Sequence, residues 1–146
     1  MKKMFFFLVL FFHCASAMNA QTFVSSTITN DQEIRRATEA LTAKYKLNAD
    51  QAKQMYTIQL RKAKNVAQIA AFQNSDPALY RAKMQNVQKG TLASIRRILN
   101  TKAQVDLYQK TQADLRVLRS KKQKELATKK ASKETVEIAL LAIYAE

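Results

Sequence analysis

Residues 47–51 read Leu47-Asn48-Ala49-Asp50-Gln51, and residues 99–104 read Leu99-Asn100-Thr101-Lys102-Ala103-Gln104. Both stretches spell the start of a helix. Asn48 can accept a hydrogen bond from the backbone N–H of Gln51, and Gln51 can reach back to the N–H of Asn48. Two donors that a helix end otherwise leaves unpaired are then satisfied. Leu47, just before the cap, can fold down as a hydrophobic staple. Thr101 and Gln104 repeat the device at the same spacing. The context repeats as well: Leu47-Asn48 precedes Met55-Tyr56, and 52 residues later Leu99-Asn100 precedes Leu107-Tyr108. A duplicated helix start, each followed by an inward-facing aromatic, predicts an all-α chain.

Working outward from these starts, the apolar residues fall at helical spacing. Ile34, Ala37, Leu41 and Tyr45 form one stripe, on a helix expected to begin at Asn30 with Glu33 three residues on. Met55, Ile58, Val66, Ile69 and Phe72 give a second helix its buried face, and that helix is expected to run to about residue 73. Asp76 as cap with Pro77 at the first helical position starts a third. Its stripe is Tyr80, Met84, Val87, Thr91, Ile95 and Ile98. Gly90 lies inside it, costing about 1 kcal/mol relative to Ala and marking a bend or a close helix contact. A fourth helix follows Thr101 with Val105, Tyr108, Leu115 and Leu118 inward. Its continuation from Arg119 to Lys130 is polar and solvated. Ser132 caps a last short helix dense in Val136, Ile138, Leu140, Leu141, Ile143 and Tyr144, which must be covered by the bundle itself or by a second copy.

Composition agrees. The chain holds one glycine (Gly90), one proline (Pro77) and no tryptophan. A sheet protein of this size needs many turns, and turns draw on Gly, Pro, Asn and Asp. The expected fold is therefore all-α, four to five long helices with few, short connections over residues 30–146, with residues 21–29, weakly alternating and β-branched, as an extended leader.

Residues 1–20 read as a cleavable signal peptide. Lys2 and Lys3 form a basic start, Phe5 to Phe12 an unbroken apolar run, and Ala15-Ser16-Ala17 a small-residue cleavage pattern. Eight apolar residues span only about 12 Å as a helix, short of the roughly 30 Å of hydrocarbon a membrane span must cross. Cleavage is expected after Ala17 or after Ala20, and it removes His13 and Cys14, the sole His and Cys. The bulky residues before Cys14 do not suit lipid attachment. The expected compartment is the periplasm.

Charge narrows the partners. The chain has 25 Lys and Arg against 11 Asp and Glu, a net charge of +14; losing Lys2 and Lys3 leaves +12. Such a field attracts anionic partners. Candidate contacts for an unfolded client or an anionic surface are Arg61, Lys62, Arg96, Arg97, Arg116, Arg119, Lys121, Lys122 and Lys124. A solvated lysine-rich surface with no specific partner is the plain alternative.

The duplicated starts resemble the Leu-Thr-x-x-Gln motifs of the Spy/CpxP family of small periplasmic helical proteins. Leu47-Asn48-Ala49-Asp50-Gln51 matches with Asn in place of Thr, and Thr101-Lys102-Ala103-Gln104 matches with Asn100 in place of Leu. The likeness covers roughly residues 30–125. It implies a curved, antiparallel helical hairpin array that pairs into a cradle-like homodimer. It also implies ATP-independent holding of unfolded envelope proteins, or restraint of an envelope-stress sensor kinase. The family's metal-responsive branch uses His-rich segments, which this chain lacks.

Other chemistries find little footing. One glycine cannot build a Gly-rich phosphate loop, so no nucleotide is expected. Asp50, Asp106, Asp114, Glu125 and Glu137 form no paired-carboxylate pattern, and Glu134 suits a helix-dipole role. No catalytic, cofactor or metal residues are assigned, and Leu47, Asn48, Gln51, Thr101 and Gln104 are read as structural caps. The runner-up function is a basic helical binder of lipopolysaccharide, anionic lipid or extracellular DNA.

Overall fold

The computed structural model describes the backbone of residues 20–143 and the side chains of 31–143. The expected cleavage sequence at Ala15–Ala17 and Tyr144 of the last stripe lie outside the described residues. Six helices and no strand occur among the described residues: α1 (Ala20–Tyr45), α2 (Ala49–Ile69), α3 (Phe72–Ser75), α4 (Pro77–Ile98), α5 (Lys102–Thr128) and α6 (Lys133–Ala142).

Capping explains most boundaries. Asn48 and Thr101 each close a full capping box, Asp76 accepts from the N–H of Leu79 at 2.9 Å with Pro77 next, and Ser132 accepts from Thr135 at 3.1 Å. Helix ends use a device the composition hides. Lys46 and Lys130 both adopt φ 52°. After each comes a hydrogen bond five residues back, Leu47 N–H to Thr42 O at 2.9 Å and Ala131 N–H to Leu126 O at 3.0 Å. These are Schellman closures with lysine where glycine is the usual residue.

Several expectations are corrected, beginning with the number of helices, six among the described residues where four to five are expected. Residues 21–29 are helical within α1, so the helix start expected at Asn30 lies inside that helix. Nothing between Ala20 and Tyr45 is Gly or Pro, and β-branched residues disfavour a helix by only about half a kcal/mol each. The second helix stops at Ile69 and resumes as the single turn α3. Gly90 makes neither a close contact nor a bend at positive φ: a Cβ there would meet nothing within 4 Å.

The core gathers at one end of the helices. Leu41, Tyr45, Met55, Ile58, Ile95 and Leu99 form it, with Leu47, Ile98, Val105, Leu107 and Tyr108 packed around them. Tyr45, Met55 and Ile95 are completely buried. The rings of Tyr45 and Tyr108 stand 6.0 Å apart, tilted by 50°. Helix α1 packs on α2, α2 on α4, and α6 on both α4 and α5. Helix α5, about 40 Å long, enters the core only through its first turns. Farther along it is covered by α6. Leu118, expected inward, is 52% exposed: the half-buried side of this stretch runs through Leu115, Arg119, Lys122 and Leu126, and Leu118 lies about 100° around the helix from Arg119.

Candidate functional site

The two duplicated motifs come together. The side-chain amides of Gln51 and Gln104 face each other and exchange both hydrogen bonds. Gln51 Nε2 donates to Gln104 Oε1 at 3.0 Å, and Gln104 Nε2 donates to Gln51 Oε1 at 2.9 Å. Both residues are buried.

Each glutamine also serves both motifs. Gln51 Oε1 accepts from its own cap N–H, Asn48, at 3.0 Å, while Gln51 Nε2 reaches the carbonyl of Ile98 at 2.7 Å and Asn100 Oδ1 at 3.2 Å. Gln104 Oε1 accepts from the N–H groups of Asn100 at 3.1 Å and Thr101 at 3.4 Å. Gln104 Nε2 donates to the carbonyl of Lys46 at 3.1 Å. The left-handed turn at Lys46 thus belongs to the same network. Each helix start caps itself and also ties down the chain reversal that precedes the other. The one-residue offset of Leu99 from the motif pattern is absorbed by Asn100, whose side chain joins the pair. Sequence reasoning placed all five motif residues as caps. It missed the pairing, whose only signal is a buried-type amide occurring twice at matching positions.

The basic residues do not form one site. Arg61, on α2, donates from Nη2 to Ser94 Oγ of α4 at 2.9 Å and is exposed. Lys62 is half-buried beside it, whereas Arg96 and Arg97 are exposed in the last turn of α4. Lys122 and Lys129 hold Glu125 at 3.0 and 2.7 Å. The two lysines pull that carboxyl down to about 2. Arg119 is half-buried, and burial pulls its guanidinium below the ordinary arginine range. At about 100° per residue, Arg116, Arg119, Lys121, Lys122 and Lys124 ring α5 rather than line one face. The outward side carries Val117, 68% exposed, and Leu118, with Lys121 and Lys124 flanking them.

A smaller cluster joins α1 to α2. Tyr56 donates its hydroxyl to Asp31 Oδ1 at 2.7 Å, and Arg35 holds Oδ2 at 2.8 Å while lying 5.5 Å above the tyrosine ring. Arg35 and then Tyr56 lower the Asp31 pKa, and the same carboxylate raises that of Tyr56. Each member is satisfied by the others, as in a structural tie.

Among the described residues no three His, Cys, Asp or Glu gather as metal ligands would, and no helix is long and apolar enough to cross a membrane. Comparison with known protein families, with curated proteins and with solved structures finds no match to this chain.

Proposed function

We propose that this chain is an exported binding protein of the cell envelope that holds unfolded or partly folded proteins without ATP, in the manner of the Spy/CpxP family its motifs resemble. The observation that carries the reading is the outward side of α5. Val117 and Leu118 stand in solvent, ringed by Arg116, Lys121 and Lys124. Long-range attraction brings acidic, loosely folded chains to such a face, and apolar contact then retains them. In this reading the helices form a curved antiparallel hairpin array that works as a homodimer in the periplasm. The paired glutamines hold the array's shape, and the chain catalyses no reaction. A sensor kinase that monitors envelope stress is a further partner of the same face.

The test is light scattering from a chemically unfolded client, with the purified protein added without ATP at low and high salt. Suppression at sub-stoichiometric to equal ratios, lost in the Val117→Ser/Leu118→Ser double variant, supports holding. The cations around α5 favour one second reading, binding to anionic lipid or lipopolysaccharide. No suppression, together with co-sedimentation on anionic vesicles that falls steeply with salt, would replace the first reading by the second.

A further inference from the structure

A groove of about 340 Å³ lies between α4, α5 and α6, away from the outward face of α5. Leu92, Leu140 and Leu141 give it an apolar wall, and Lys89 and Arg119 bring two positive charges. Among the described lining residues Glu137 is the acid, and its carboxylate is held by Arg81 Nε at 3.0 Å. Gln88, buried at the groove, spends its amide nitrogen on the carbonyl of Leu141 at 2.8 Å, which fixes α6 as one wall. Arg81 holds the other end of α6 through Glu134 at 2.6 Å and Glu137. On α5, two turns before Arg119 and on the same face, the amide nitrogen of Gln112 is buried without a hydrogen-bond partner. That face therefore presents both cationic and neutral donors toward the interior side of the helix.

We propose that this groove binds a single-chain anionic amphiphile, its acyl chain against Leu92, Leu140 and Leu141 and its carboxylate or phosphate head on Arg119 and Lys89. The volume suits one short chain, at the small end of the range for ligand pockets of about 300–1,000 Å³. Among the described lining residues Lys89 and Arg119 outweigh the one carboxylate, which favours a negative head over a neutral one. A guanidinium that burial has partly stripped of water gains more from an anion than an exposed one does. Affinity rises about fourfold for each methylene added until the groove is filled, since each buries apolar surface. The inference does not depend on client holding, which uses the opposite face of α5.

Isothermal titration of the purified protein with laurate, dodecyl phosphate and dodecanol below their aggregation limits tests this. Saturable one-to-one binding of laurate or dodecyl phosphate, at least tenfold tighter than dodecanol, is expected, and the two anions identify which head the site takes. Arg119→Met and Lys89→Met should each weaken the anion at least tenfold and leave dodecanol unchanged. Arg119→Lys should retain most of the affinity, so that a folding defect in the Met variant does not decide the matter. Val117→Ser, outside the groove, should bind as the parent does. Absence of saturable binding by both anions, or equal affinity for dodecanol, or Met variants that bind normally, would overturn the proposal.

Discussion

Replacing Gln51 by alanine should cost far more than the loss of a helix cap. A capping residue of this kind contributes about 1 kcal/mol. In this fold the side chain of Gln51 also donates to Ile98 O, Asn100 Oδ1 and Gln104 Oε1, and accepts from Gln104 Nε2. Truncation leaves the buried amide of Gln104 and the carbonyl of Ile98 each short of a partner. Each stranded buried group costs about 1–3 kcal/mol, and each ordinary bond lost roughly 1. The expected total is about 3–4 kcal/mol, and Gln104→Ala should cost a similar amount. Because the two amides share two bonds, the double variant should fall short of the sum by about 1–2 kcal/mol. Asn48→Ala, which removes only a cap bond to Gln51 N–H at 2.9 Å, is the internal standard near 1 kcal/mol. Urea unfolding followed by far-ultraviolet circular dichroism measures all four. Single losses near 1 kcal/mol that add without coupling would show that the pairing contributes nothing, and the motifs would revert to independent caps. A loss of client holding with stability unchanged would refute the structural role from the other side.

Gly90→Ala should stabilise the chain by about 0.5–1 kcal/mol, because α4 gains helix propensity and the new methyl meets nothing within 4 Å; a lowered urea midpoint would contradict this. Lys130→Gly should also stabilise, by about 1 kcal/mol, since a left-handed residue at φ 52° no longer carries a Cβ, and a loss on urea unfolding would show that the lysine stem packs usefully there. The Glu125 carboxyl, held down to about 2 by Lys129 and Lys122, has a folded-state pKa below its ordinary 4.5. Its contribution to the end of α5 is therefore complete above about 4.5 and lost as pH falls toward 2, small because the group is exposed and screened. A carboxyl titration by NMR should move back toward the ordinary value in Lys129→Ala, and an unchanged midpoint would discount the pairing.

What the sequence made legible was local. The caps at Asn48, Asp76, Thr101 and Ser132 are set by residues within three positions, and all four occur as read. Of the stripe Ile34, Ala37, Leu41 and Tyr45, Ala37 is half-buried and the other three are buried, as the spacing implies. Failures came where a distant element decides. Leu115 and Leu118 have equally good helical spacing, but the neighbours of α5 half-bury Leu115 and Arg119 and leave Leu118 on the outer side. The helix ends at Lys46 and Lys130 gave no glycine signal, because hydrogen bonds to Thr42 and Leu126 offset the cost of a left-handed lysine. The Gln51–Gln104 pair stayed hidden for a different reason. Each glutamine already has a complete local explanation as the returning half of a capping box, so nothing in either segment asks for a partner 53 residues away.

The placement of the core bears on where binding can occur. Tyr45, Met55 and Ile95, the fully buried side chains, lie with the glutamine pair at one end of the molecule. At the other end, α6 has no fully buried residue and is held by the Arg81 ion pairs, by Gln88 and by half-buried leucines. Local opening follows buried apolar contact and protected hydrogen bonds. Stability should therefore fall from the paired motifs toward α6 and the distal half of α5. Those are the segments that carry both Val117–Leu118 and the groove. A surface that must adapt to varied chains, or admit an acyl tail beneath a helix, belongs in the part of the fold that opens most cheaply. Amide exchange slowest around Met55 and Ile95 and fastest in α6 would fit this order; uniform protection along α5 and α6 would mean that the distal end is as rigid as the core and that neither site gains from local opening.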